Sequence, residues 1–60
     1  MKKYRIWKSE ESSRLLIEIF NRQYFKEIEK EFIFNNYIIE NEYMPEYTNT
    51  AFLIVIKANN

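Results

Sequence analysis

Glutamate, lysine, arginine, tyrosine and a few hydroxyls are the only side chains in this 60-residue chain that can do chemistry, for it has no histidine, cysteine, aspartate or glycine. Its nine glutamates are the main resource. Glu27, Glu29, Glu31, Glu40 and Glu42 fall at alternating positions of a segment read below as a hairpin, which gathers them on one face. Carboxylates so gathered can act as a general acid and base, or hold Mg²⁺ against a substrate phosphate. Either task needs surroundings that push one pKa away from the others. A flat, hydrated face does not provide them.

The missing residue types exclude more. Without cysteine and histidine there is no thiol nucleophile, disulfide framework, zinc cluster or haem ligand, and no side chain that ordinarily titrates near neutrality. Without glycine there is no phosphate-cradling loop. Ser9, Ser12 and Ser13 are accounted for by helix capping, and no serine–lysine spacing forces a contact. The inventory predicts a protein that is not an enzyme and holds no cofactor.

What remains is binding. Like charges on one sheet face oppose folding, so the Glu27, Glu29, Glu31, Glu40 and Glu42 face is a candidate for meeting a basic partner, with solubility and edge protection as the plainer role. Trp7, on the nominally wet side of its strand, and Met44 and Tyr47, in a loop, complete the candidate interaction residues. A rival reading uses the first strand. Lys2, Lys3, Tyr4, Arg5 and Lys8, beside Trp7, combine cations with rings and can neutralise phosphates and stack on bases. The formal net charge of zero argues against nucleic acid as the main partner.

The elements that must position these residues follow from periodicity. Lys2 to Lys8 alternates as a strand with Tyr4 and Ile6 inward. Ser9-Glu10-Glu11 opens a helix predicted from about Glu10 to Tyr24, with Leu16, Ile17, Phe20 and Tyr24 along its apolar arc. The stretch from Phe25 to Tyr43 fits a helix acceptably through Phe25, Ile28 and Phe32. It fits a hairpin better, turning at Asn35-Asn36. Residues Met44 to Thr50 form a loop around the only proline, and Ala51 to Lys57, apolar on both faces, is a central strand. Ala58 to Asn60 frays. The expected fold is α+β, one helix on a mostly antiparallel sheet of three or four strands in β-α-β-β-β order, as a single domain over residues 1–60.

Size and grease predict association. A chain this short buries only about 60% of its unfolded surface. Nine isoleucines, five phenylalanines, five tyrosines and one tryptophan exceed what one small core absorbs, so a homodimer is expected. The longest apolar run, Ala51 to Ile56, is far below the roughly 20 residues of a membrane span. Charges after Met1-Lys2-Lys3 interrupt any signal-peptide core. The expectation is a cytoplasmic protein with no membrane partner.

Three features together carry a resemblance. They are the short opening strand Lys2-Lys3-Tyr4-Arg5-Ile6-Trp7 with a Glu- and Ser-led helix after it, the Ile28 to Phe32 strand, and the final Ala51-Phe52-Leu53-Ile54-Val55-Ile56-Lys57 strand. The pattern resembles tiny strand-helix-strand-strand proteins of spore-forming Gram-positive bacteria and their phages, among them short anti-defence inhibitors. The richness in Asn, Ile and Lys is similar to products of AT-rich genomes. The resemblance implies a phage-encoded inhibitor that binds a host protein. It supplies no functional residue, and Tyr37 to Thr50 is additional to the simplest form of the pattern.

Overall fold

Apolar residues on both faces of a short segment demand an interior place in a sheet, and Ala51–Lys57 takes one. The computed structural model describes residues 2–8 and 12–58. The chain runs β1 (Tyr4–Lys8), β2 (Arg14–Ile19), a 3₁₀ turn (Arg22–Tyr24), α1 (Phe25–Phe34), β3 (Tyr37–Tyr43) and β4 (Ala51–Lys57). All pairings are antiparallel, in the order β1-β2-β4-β3. One face carries the core. Ile17 stands opposite Leu53, Ile19 opposite Ala51 and Ile39 opposite Val55. Over them lies α1, burying Phe25, Ile28 and Phe32 at i, i+3 and i+7. Tyr4 and Tyr37 flank Phe32 edge-on, with ring centroids 5.6 and 5.4 Å away.

The α+β class and the single helix on a four-stranded antiparallel sheet agree with expectation, as do the strand at 51–57 and the loop at 44–50. The element order differs: it is β-β-α-β-β, because two segments exchange roles. The predicted helix from Glu10 to Tyr24 is a strand over Arg14–Ile19 followed by the 3₁₀ turn. Its proposed start at Ser9, Glu10 and Glu11 lies outside the described residues, as do Asn59 and Asn60 of the end expected to fray, whereas the Ala58 N–H is held by the Asn36 carbonyl at 2.9 Å. The predicted first hairpin arm is α1.

Magnitudes explain the exchange. Against a helix at 25–34 stood the like-charge pairs Lys26/Lys30 and Glu27/Glu31, each a matter of a few tenths of a kcal/mol. Burying Phe25, Ile28 and Phe32 contributes roughly 1.5–3 kcal/mol per side chain. Packing wins. Asn35-Asn36 does turn the chain, but from helix to strand. Asn35 caps the carbonyl of Glu31 through its own side chain at 2.8 Å, and Asn36 takes a left-handed φ of 73°.

Candidate functional site

A single helix covers one side of a sheet, so the other side of this one is bare. Strand alternation assigns its residues. Arg5 and Trp7 come from β1, Arg14, Leu16 and Glu18 from β2, and Phe52, Ile54 and Ile56 from β4. On β3 the register shifts between Ile39 and Asn41, so Ile38, Glu40, Asn41 and Tyr43 belong to the bare side. Trp7 is 49% exposed, Ile38 55% and Tyr43 58%. Pairing orders these residues into three cross-strand rows: Arg5–Glu18–Phe52–Tyr43, Trp7–Leu16–Ile54–Asn41 and Arg14–Ile56–Ile38. Aliphatic and aromatic carbon fills the middle of the face, and charge is kept to its border.

The border charges are already paired. Glu18 accepts from the Trp7 indole N–H at 3.0 Å and from the Arg5 guanidinium at 3.3 Å, and that guanidinium lies 4.5 Å from the Trp7 ring centroid. Arg14 reaches across β4 to Glu40. The Arg14 guanidinium holds the Glu40 carboxyl below its ordinary pKa. Shallow hollows flank Leu16 and Ile54: one of about 300 Å³ beside Tyr43 and Phe52, another of about 330 Å³ beside Trp7 and Arg14. The Tyr43 ring stacks on Phe52 at 6.2 Å, and the neighbouring Tyr47 hydroxyl raises the Tyr43 pKa.

The loop holding Met44 and Tyr47 is fastened from below. Arg22 Nη1 donates to the carbonyls of Pro45 and Thr48 at 3.0 and 3.1 Å, and Pro45 is buried. Tyr47 is left 85% exposed at the rim.

The acidic face predicted from the hairpin does not form. Glu27, Glu29 and Glu31 lie on α1, and the bulge sends Glu40 and Glu42 to opposite sides of β3. Lys3 pairs with Glu27 at 2.7 Å and the Tyr4 hydroxyl donates to Glu31 at 3.3 Å, so these two carboxylates serve contacts between helix and first strand. Nor are all these glutamates hydrated alike. The Glu29 side chain is only 14% exposed, and desolvation, with the Glu42 carboxylate beside it, raises its pKa.

The predicted basic strand is divided as well. Arg5 and Trp7 face the bare side, while Tyr4 packs under the helix with Ile6 and Lys8 on its side of the strand. Lys3 and Arg5 are occupied by Glu27 and Glu18, and Lys2 and Lys8 are exposed. Among the candidates, then, Arg5, Trp7 and Glu40 share the open face, and Met44 and Tyr47 adjoin it. Arg14, Glu18, Asn41 and Tyr43 of that face had not been candidates, and neither had Leu16, Ile38, Phe52, Ile54 and Ile56, which supply most of its carbon. The signal for them was present in the two-sided apolar character of residues 51–57.

A separate hollow of about 300 Å³ beside the helix end is lined by Tyr4, Ile6, Glu31, Phe32, Tyr37 and Lys57; in it the Tyr4 hydroxyl donates to Glu31 and the Lys57 ammonium to the Asn35 carbonyl. Among the described residues no three acidic side chains lie together as a metal site would need, and no helix is long and apolar enough to cross a membrane. Comparison with protein-family models, curated proteins and solved structures returned no match.

Proposed function

We propose that this chain is a small, non-catalytic protein-binding module that works as a homo-oligomer and docks through the bare face of its sheet. One observation carries the reading: the four-stranded sheet has a helix on one side and on the other a Trp7–Leu16–Ile54 row in which Trp7 and Leu16 are exposed and Ile54 is half-buried. Contiguous apolar surface of this kind is rare on monomers and usual where proteins meet. Tyr43, Met44 and Tyr47 extend it at the rim, where a second kind of partner can be engaged. The finer proposal, inhibition of a host defence or nucleic-acid-processing protein in the host cytoplasm, is supported only by the opening and final strands of the resemblance to small phage proteins, because its helix segment is β2 and its Ile28–Phe32 strand lies in α1.

Nucleic-acid binding is the second reading, and less supports it. Its cations fall on two sides of β1, Lys3 and Arg5 are neutralised, and Arg5 already lies over the Trp7 ring. The two readings separate on one titration. Trp7 fluorescence should stay unchanged when single-stranded or duplex oligonucleotides are added at moderate salt, and saturable quenching would favour the rival. In parallel, capture of partner proteins should be lost in Leu16→Arg and kept in Lys30→Ala. Equal capture by both variants would remove the open face from the proposal.

A further inference from the structure

We infer that the occupant of the open face is a second copy of this chain, stacked sheet against sheet about a two-fold axis lying across the strands along the Trp7–Leu16–Ile54 row. The inference rests on reading that face as a docking surface and names what docks. It is argued from charge. On β2 the open-face residues are Arg14, Leu16 and Glu18, a cation and an anion equidistant from a central leucine.

A two-fold axis along the central row exchanges the rows on either side of it. Arg14 then comes over the partner's Glu18, and Glu18 over the partner's Arg14. The same operation puts Leu16 over the partner's Leu16, Phe52 over the partner's Ile56 and Tyr43 over the partner's Ile38. Opposite charges meet twice, each beside the ion pair it already makes in its own sheet, Arg14 with Glu40 and Glu18 with Arg5, and apolar side chains meet apolar ones except where Asn41 comes over the partner's Asn41. An axis along the strands would instead bring Arg14 over the partner's Ile56 and Glu18 over the partner's Phe52, desolvating ions against apolar groups. A closed pair requires one patch that complements itself, and the order of these residues on β2 meets that requirement for the axis across the strands and not for the one along them.

The size of the face sets the strength. Four strands about 4.8 Å apart, each showing some 20 Å of length, give roughly 400 Å² in projection per copy. Two such faces make roughly 800 Å² in total, below the about 1,200 Å² of stable specific interfaces and in the range of weak, transient pairs, so the dissociation constant is expected above micromolar. The pair is therefore expected to form and separate within an accessible concentration range.

Sedimentation velocity on the intact chain from micromolar to millimolar concentration tests this. The wild type should pass from monomer to dimer. Arg14→Glu and Glu18→Arg should each weaken association by at least about tenfold, the two together should associate more tightly than either alone, and Leu16→Arg should stay monomeric while keeping a native circular dichroism spectrum. A wild type that is monomeric throughout overturns the inference. So does a dimer indifferent to the charge exchange, as pairing along the free edge of β1 would give. If the wild type is monomeric while Leu16→Arg still loses capture of another protein, only the second copy falls and the docking face stands. If Leu16→Arg changes neither property, both fall.

Discussion

Asn36 holds a φ of 73° in a chain without glycine, and its N–H closes the helix end onto the Ile33 carbonyl at 3.0 Å. Among residues with a Cβ, asparagine tolerates this conformation best. Asn36→Val should therefore destabilise by roughly 1–2 kcal/mol and Asn36→Gly should be neutral or slightly stabilising, as read by urea unfolding. Arg22 has a comparable structural task. Arg22→Ala removes two bonds to loop carbonyls and should destabilise by about 1–3 kcal/mol, with faster amide exchange confined to residues 45–50. Glu29 gives a pH signature. Its pKa is raised above the ordinary 4.5 by burial and by Glu42, against the pull of Lys26. The native state thus holds this proton more tightly than the unfolded chain, a contribution complete below the ordinary value and lost as pH rises through the raised one. Glu29→Gln should melt above the wild type at pH 7, with the gap closing as pH falls through the raised value toward 4.5; a gap that widens in acid would contradict this.

At the scale of elements, β1, β3, β4 and the proline loop were legible because alternation or a breaker marked them. Arg14–Ile19 and Phe25–Phe34 were not. Leu15, Ile17 and Ile19 point to the core while Leu16 points to the open face, so β2 shows apolar residues on both sides and satisfies a helical arc as readily as a strand. Phe25, Ile28 and Phe32 carry the helical period, but the Asn35-Asn36 turn with alternation on both of its arms spoke for a hairpin, and only a sheet to pack on decides between them. Ile28→Ala should accordingly cost about 2–5 kcal/mol, enough to unfold much of a domain this small. Exposed Lys30→Ala should stay within about 0.5 kcal/mol. Thermal melts of the two variants check the contrast, and equal losses would mean that α1 is held by local propensity instead of by the core. The acidic face was a consequence of the hairpin register, so it vanished once Phe25–Phe34 became a helix and Glu40 a bulge.

For the whole molecule, the apolar surplus and the absent reactive types were visible in composition, and both bear on how the open face is read. Which face was open was not visible, because it depends on where the one helix lands. Trp7 was marked as an aromatic on the wet side of a strand; its neighbours Leu16 and Ile54 come from segments 9 and 47 residues further along and meet it only through pairing. The most direct measurement uses that tryptophan in the unmodified chain. Acrylamide quenching of Trp7 emission should weaken, and the emission shift to the blue, as protein concentration rises from micromolar to millimolar, while Leu16→Arg stays fully quenchable throughout. Quenching that is equally strong at every concentration in both proteins would contradict burial of the open face against a second chain.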